Sequence, residues 1–599
     1  MNKKITRTMK KNLMGIFIVF VFIFLTLIGR LIYIKHFDGN QYERSVLAQQ
    51  TSYNRILQFK RGSILDRNGT VLASSIKVFN LILDPEVLAI SNDNSKETTV
   101  EILNEYFGIN KDELLEYINN PRGRHYVPLI KHISFEDVEE FNGYLEEKRG
   151  TNLFRGVWFE EEYIRNYPFN NLASNVLGFY SSDVGRWGVE EYYNKELTGE
   201  IGREFGLINE GLYVQRETRN PKNGNNIITT IDYTIQHFVE QALTKFTNRV
   251  DTLNAMVIVM DPNSGEILAM ASQPNYNPNH PMSLVDHFTE EGLKNLSSEE
   301  RLNYLQRLWR LNPISDTYEP GSTFKPMTIA AALEEGILTG DEMFLCNGHI
   351  MVRGTRINCW RREGHGEQTL SQVLANSCNI GLVEIGEMMG REIFVQYQRG
   401  FGFGERTNID LLGEASASNL LYSVNRMGPV ELATNTFGQS FNVTPIQLIT
   451  GFSAFLNGGE LVEPHIVKQI VDENGYNIKS IDKKVVRKVI SRDTADQVKE
   501  YLLDAVADGT GRRAYIEGYD IGGKTGTAEK LPRGNDKYIY SFIGFAPFES
   551  PEVVALVILD EPEIEGANSS LAISVFREIM EKVLPYMNIY PSESNIDTE

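Results

Sequence analysis

The sequence predicts a multidomain chain: a single N-terminal transmembrane helix, an α+β domain, and an α/β domain in which antiparallel strands flank a helical block. Three observations carry this. A charge-free apolar run extends from Leu13 to Gly29 and resumes from Leu31 to Ile34 after Arg30. Residues 36 to about 228 mix turn signals with short strand and helix patterns and hold no cluster of chemically reactive residue types. From Thr229 the patterning changes, opening on a helix and a tight hairpin and closing on two apolar, strand-length runs.

Taken in order, residues 1–12 form a cytoplasmic tail bearing Lys3, Lys4, Arg7, Lys10 and Lys11 without an acidic residue. Residues 13–35 form the anchor, since about 20 apolar residues cross a bilayer as a helix. Positive charge stays on the cytoplasmic side, which puts the rest of the chain outside the cell membrane. A cleaved leader needs a shorter apolar region and a small-residue cleavage site, and neither is present, so the anchor is expected to be retained. Within 36–228, Lys60 to Ala73 reads as strand, Asn68-Gly69 turn, strand, and residues 97–107 and 111–119 read as helices. Within 229–587, Ile231-Asp232 opens a helix running to about Phe246. Met256–Met260, the turn Asp261-Pro-Asn-Ser-Gly265 and Glu266–Ala271 then form a hairpin. Helical patterns fill the middle, and strands return at Ile539–Ala546 and Val553–Asp560. Strands that can pair antiparallel around a helical block suggest an α/β or α+β domain. Residues 588–599 make an acidic tail.

At 599 residues the chain exceeds one compact core, and its 23% charged and 42% hydrophobic residues are ordinary for a folded protein. A net charge of −20 excludes nucleic acid as a partner, because an acidic surface repels phosphate and no long basic run exists beyond the N-terminus.

The chemistry centres on Ser322 and Lys325, in Glu319-Pro-Gly-Ser-Thr-Phe-Lys-Pro-Met. Pro320 and Gly321 break the chain, and Thr323 to Glu335 reads as a helix stopped by Gly336. Residues at i and i+3 share a helix face. A serine needs an adjacent base to act as a nucleophile, and burial or a neighbouring cation lowers a lysine enough to serve. Such a pair is the Ser-Lys variant of triad chemistry. The tetrapeptide alone is weak, since Ser74-x-x-Lys77 and Ser480-x-x-Lys483 share it. Ser322 has company: Ser377-Cys378-Asn379 comes next, then Lys524-Thr525-Gly526-Thr527, the one Lys-Thr-Gly in the chain. Ser-x-Asn also recurs by chance at Ser423-Val424-Asn425 and Ser440-Phe441-Asn442.

These three motifs are those of penicillin-binding proteins and β-lactamases, and the whole chain resembles a class B penicillin-binding protein, a membrane-anchored peptidoglycan D,D-transpeptidase. The resemblance covers roughly residues 50–585. Arg61-Gly62-x-Ile64-x-Asp66-Arg67-Asn68-Gly69 looks like the opening motif of the family's non-catalytic pedestal. Arg165-x-Tyr167-Pro168 and Gly188-x-Glu190-x-x-Tyr193-x-x-x-Leu197-x-Gly199 are similar to later pedestal motifs, and all are read as architectural. Asp261-Pro262-x-x-Gly265-x-Ile267-Leu268-Ala269-Met270 looks like the first hairpin of the transpeptidase domain.

The resemblance implies a fold with an elongated pedestal (residues 36–228) and a penicillin-binding transpeptidase domain (229–587) whose central antiparallel sheet is flanked by helices. It implies that Ser322 attacks the penultimate D-alanine carbonyl of a stem peptide, that Lys325 takes the serine proton, and that a second peptide's amine resolves the acyl-enzyme. Ser377 would relay a proton and Asn379 bind substrate amide, both from an extended loop. Lys524, Thr525 and Thr527 would receive the terminal carboxylate from an edge strand, Gly526 leaving room for close backbone approach. Backbone N–H groups of Ser322 and Thr527 would form the oxyanion hole. Expected partners are peptidoglycan stem peptides, β-lactams, the membrane, a membrane glycan polymerase and other cell-wall synthesis proteins; no glycosyltransferase motif is present. Phe437-Gly438-Gln439-Ser440 and Ser541–Pro547 resemble division- or sporulation-type members more than elongation-type ones.

Alternatives of other classes are a D,D-carboxypeptidase, a β-lactamase or β-lactam sensor, and a non-catalytic cell-wall scaffold. The anchor and pedestal argue against the second, and the intact Ser322, Lys325, Ser377, Asn379 and Lys524 against the third. No cofactor is required for the chemistry. Cys346, Cys359, His365 and Cys378 make a Cys3His set of structural-zinc composition, and acidic, His and Cys ligands occur similarly in some class B relatives. A Cys346–Cys359 disulfide, compatible with an extracytoplasmic setting, and three free thiols are the other readings.

Overall fold

The computed structural model describes residues 7–33, 52–148, 154–208, 214–416 and 418–591. The first residues of the expected basic tail, the last two residues of the expected anchor with the start of the segment after it (34–51), and the acidic tail from 592 onward lie outside the described residues.

The chain divides into two compact units, residues 1–59 with 199–223 and residues 60–198 with 224–599. The first unit contains the helix Arg7–Tyr33, 27 residues long, with Phe17, Phe20 and Phe24 exposed along it. Among the described residues no helix is long and apolar enough to cross a membrane. The unit also holds a three-stranded antiparallel sheet in the order Ser52–Leu57, Gly202–Ile208, Val214–Arg219.

The second unit is built on two sheets. In the first, the long strand Val71–Leu83 pairs with Val157–Asn166 and Val127–Ile133. The helices Asp93–Phe107, Lys111–Asn119 and Phe135–Glu147 each start on a side-chain cap, Asn92, Asn110 and Ser134, which satisfies an otherwise orphaned N–H of the first turn. The expected turn at Asn68-Gly69 forms; Asp66 Oδ1 accepts the N–H groups of Asn68 and Thr70. Ile64–Leu65 pairs parallel with Asn226–Thr229, which pairs antiparallel with Val467–Val471. This sheet therefore draws strands from both sides of residue 229.

Glu190, fully buried, ties the early motifs together. Arg61 reaches its Oε2 at 2.6 Å and Arg165 its Oε1 at 2.6 Å, with the Tyr167 hydroxyl donating at 3.1 Å. Burial pushes the Glu190 carboxyl up, but the two guanidiniums hold it below the usual range. These residues are architectural, as expected.

The second sheet has five antiparallel strands in the order Ile267–Gln273, Asn254–Met260, Val553–Asp560, Tyr538–Ala546, Gly522–Glu529. Side chains alternate faces along a strand. Val554, Leu556 and Ile558 enter the core shared with the helical block, while Val553, Ala555, Val557 and Leu559 face the helices Tyr233–Thr247 and Ser570–Tyr586. Burial on both faces explains why this strand reads as a continuous apolar run. Asp232 caps the first of these helices through Thr234 N and Ile235 N. Gly522–Glu529 is an edge strand, and its free side faces the Ser322 loop.

Candidate active site

Ser322 lies in a 3-10 turn, Gly321–Phe324, that runs into the helix Lys325–Glu334. The turn starts where Gly321 takes φ 58°, and a Cβ there would lie 2.7 Å from Thr527 O on the edge strand. Only glycine permits both the left-handed backbone and this approach. The opposite contact is at Gly526, where a Cβ would lie 2.3 Å from Ser541 Oγ and 3.2 Å from Pro320 O. Edge strand and nucleophile loop are thus in direct backbone apposition. Ser322 is half-buried and lines a cleft of about 970 Å³ together with Ser377, Asn379, Thr525 and Thr527.

Lys325 is fully buried, and Nζ donates to Ser377 O at 2.6 Å, Ser377 Oγ at 3.1 Å and Asn379 Oδ1 at 2.8 Å. None of its hydrogen bonds goes to Ser322. Burial lowers its ammonium to about 8, with Cys378 and Cys359 acting in the opposite direction. A lysine near 8 holds a usable neutral fraction at physiological pH.

The Ser377-x-Asn379 motif is not the extended loop its i, i+2 spacing suggests. The helix Leu370–Ala375 ends in a Schellman arrangement, with Ser377 N bonded to Leu374 O at 3.0 Å and Cys378 N to Val373 O at 2.9 Å. Ser377 takes the left-handed position, φ 53°, that glycine usually fills, and Asn379 begins the next helix. The two side chains meet Lys325 because a helix junction folds them together, not because a strand points them alike.

Across the cleft, Lys524 is fully buried on the edge strand, with Nζ 3.3 Å from Thr525 Oγ1 and 3.5 Å from Thr510 Oγ1. Burial, then the nearby charge of Lys325, pushes its ammonium well below the usual range. Thr525 Oγ1 lies 3.0 Å from Thr510 Oγ1. Thr510 carries no motif signal beyond a Gly-Thr-Gly turn and is missed by sequence reasoning. So is Arg533, whose Nη2 pairs with Glu319 Oε2 at 2.9 Å beside the nucleophile loop. The look-alike motifs are elsewhere: Lys77 pairs with Glu161, and Lys483 with Glu460, on partly exposed surfaces.

Cys346, Cys359, His365 and Cys378 converge beside this site, their donor atoms all within 4.8 Å of one another. All three cysteines are free and buried, so the Cys346–Cys359 disulfide does not form. Cys359 is pushed down, first by the Cys378 thiol hydrogen bond and then, against burial, by N–H groups of Asn379 and Arg361, while Cys378 is pushed up by the same contact. His365 Nε2 is buried without a hydrogen-bond partner. His365 Nδ1 lies 3.6 Å from Cys359 Sγ, and an imidazole nitrogen against a thiolate-prone sulfur, with two further thiols beside them, fits a tetrahedral zinc.

Comparison with known proteins matches residues 57–229 to the family described as penicillin-binding protein dimerisation domain, and residues 255–581 to penicillin-binding protein transpeptidase domain. The chain is 35% identical to stage V sporulation protein D of Bacillus subtilis, over 98% of this chain and 88% of the relative. It is 29% identical to the peptidoglycan D,D-transpeptidase FtsI of Escherichia coli K12, over 92% and 86%. Among solved structures, penicillin-binding protein 2X of Streptococcus thermophilus superposes with a TM-score of 0.73 at 24% identity, covering 90% of this chain and 81% of that one. Penicillin-binding protein 3 of Mycobacterium tuberculosis, complexed with aztreonam, gives 0.65 at 23%, covering 90% and 98%.

Proposed function

The chain belongs to the class B penicillin-binding proteins of the division and sporulation type, and from that footing we infer that it is a peptidoglycan D,D-transpeptidase working through an acyl-enzyme on Ser322. The observation that carries the residue assignment is the bonding of buried Lys325 to Ser377 and Asn379 in the cleft that Ser322 and the edge strand share.

Ser322 Oγ attacks the penultimate D-alanine carbonyl, and its proton passes to neutral Lys325. Hydrogen bonds of this kind often tighten only once substrate is bound, which fits an amine engaged by Ser377 and Asn379 in the free enzyme. The developing oxyanion is received by the N–H groups of Ser322 and Thr527. The Ser377 hydroxyl, bonded to Lys325, returns the proton to the departing D-alanine amine, and Asn379 holds the donor amide. The amine of a second peptide then attacks the ester and frees Ser322. The terminal carboxylate is met by Lys524, Thr525 and Thr527; its arrival favours the ammonium form of Lys524 that burial opposes. A β-lactam enters the same path and stops at the acyl stage. Incubating the protein with a fluorescent penicillin and mapping the labelled peptide tests this: the label belongs on Ser322, and Ser322→Ala abolishes it.

The same reading includes a retained membrane anchor at residues 13–35, supported by the helix Arg7–Tyr33 and the basic residues before it, with the catalytic domain outside the cell. The N-terminal sequence of the protein recovered from membranes tests it; a start beyond residue 35 refutes retention. A separate membrane glycan polymerase supplies the strands to be cross-linked, because this chain carries no motif for that step. Cys346, Cys359, His365 and Cys378 hold one structural zinc, which would brace the junction bearing Ser377 and Asn379.

A further inference from the structure

We propose that Arg356 and Arg362 form a second carboxylate subsite in the cleft, one that takes an acidic residue of the donor peptide upstream of its terminal D-alanines. The proposal rests on the transpeptidase reading and names part of its substrate specificity. The cleft, at about 970 Å³, lies at the top of the ~300–1,000 Å³ range of ligand pockets, so it has room for more than a terminal dipeptide. The terminal carboxylate is met at Lys524 and its threonines. Arg356, Trp360 and Arg362 line the same cleft from a different element, the hairpin His349–Val352/Thr355–Asn358 and the turn after it.

That wall is held in place relative to the catalytic junction. Asn379 Nδ2 donates to Asn358 O at 3.2 Å, Trp360 Nε1 to Asn376 O at 2.9 Å, and Cys359 N to Gly348 O at 2.8 Å. The backbone that carries both arginines is therefore held next to the residues flanking Ser377, while their side chains are exposed. Neither has a carboxylate partner among the described residues: Arg356 Nε bonds only Asn358 Oδ1, at 3.2 Å, and Arg362 makes no side-chain hydrogen bond or ion pair. Such isolation is unexpected in a chain of net charge −20, where Arg533 in the same cleft is already paired with Glu319. Among the described residues the one carboxylate lining the cleft, Glu529, sits on the edge strand and accepts Gly534 N. Two unpaired guanidiniums on a fixed wall are suited to a planar carboxylate, which they can meet in bidentate fashion.

The test uses the full-length protein and two D-alanyl-D-alanine peptides that differ only in an upstream side chain, a free carboxylate in one and its amide in the other. The readout is the ratio of kcat/KM for D-alanine release from the acidic and amidated peptides. The unmodified protein prefers the acidic peptide. In Arg356→Gln/Arg362→Gln that preference falls about tenfold, which is what two solvent-exposed ion pairs supply together, and in Arg356→Glu/Arg362→Glu it inverts. On the unmodified protein, added salt compresses the same ratio, because exposed charges are screened. A ratio near one in the unmodified protein, or a ratio that neither the variants nor salt alter, overturns the subsite. Failure of fluorescent penicillin to label Ser322 in the unmodified protein overturns the transpeptidase reading instead.

Discussion

Lys325 Nζ lies 2.6 Å from the carbonyl oxygen of Ser377, a residue held in left-handed backbone at φ 53°. The amine thus reads the end of one helix and, through Asn379 Oδ1, the start of the next. A cation at a helix C-terminus satisfies an orphaned carbonyl, so one contact both secures the junction and holds the base beside the nucleophile loop.

The protonation of Lys325 sets the pH dependence. Burial lowers it to about 8, so the second-order rate of penicillin labelling rises with pH through about 8 and levels off above it. Lys325→Ala loses ~10²–10⁴ in that rate and the step with it. Stability is linked to the same proton, which the unfolded chain binds more tightly than the folded one. Burial of the ammonium therefore costs most below about pH 8, and the cost fades as pH rises toward 10.5, the ordinary value. A flat labelling profile from neutral to alkaline pH is incompatible with Lys325 as base.

Ser377 serves the fold and the chemistry in opposite ways. A non-glycine residue in left-handed backbone costs ~1–2 kcal/mol, so Ser377→Gly is as stable as the parent or more stable, whereas Ser377→Ala is less stable than Ser377→Gly by about 1 kcal/mol. Both remove the hydroxyl bonded to Lys325, and both slow acylation by ~10- to 100-fold, the lower part of what a general acid–base group supplies. Thermal denaturation and labelling rates, measured on the same two variants, separate the effects; equal stability of the pair refutes the backbone argument.

Gly321→Ala is expected to damage the site without touching a reactive group. The added Cβ meets Thr527 O at 2.7 Å and sits at φ 58°, a combination worth about 1–3 kcal/mol of strain. Relief requires the edge strand to retreat from Ser322, so labelling falls along with melting temperature. Normal labelling in Gly321→Ala would show that the strand and loop do not need this apposition.

The cysteine cluster predicts about one zinc per chain by elemental analysis. Structural zinc contributes directly to folding, so chelation or His365→Ala lowers the melting temperature and slows acylation, while Ser322 remains the labelled residue. Metal-free protein of unchanged stability in chelator refutes the site.

Much of the transpeptidase region is legible from local pattern. The run Val553–Asp560 and the hairpin around Asp261–Gly265 emerge in the structure, because apolar runs and turn residues act over a few positions; the edge position of Lys524-Thr525-Gly526-Thr527, which the family resemblance implied, emerges as well. Ser322 and Lys325 are legible as a pair at i and i+3, although the structure places Ser322 in the 3-10 turn before the helix and takes the Lys325 hydrogen bonds to Ser377 and Asn379.

The sequence by itself determined which residue types are available and how each behaves over a turn or a strand. Tertiary structure decided the rest. The spacing of Ser377-x-Asn379 suggests an extended segment, and nothing in a serine announces the left-handed end of a helix. That conformation is imposed where the helix Leu370–Ala375 packs against the helix beginning at Asn379. Thr510 enters the site only because its turn packs against Thr525. Val467–Val471 joins a sheet with Asn226–Thr229 across a long stretch of chain. The reason is common to all three: each depends on packing between separate elements of the chain, whose net free energy is set by burial that exists only once the chain has folded.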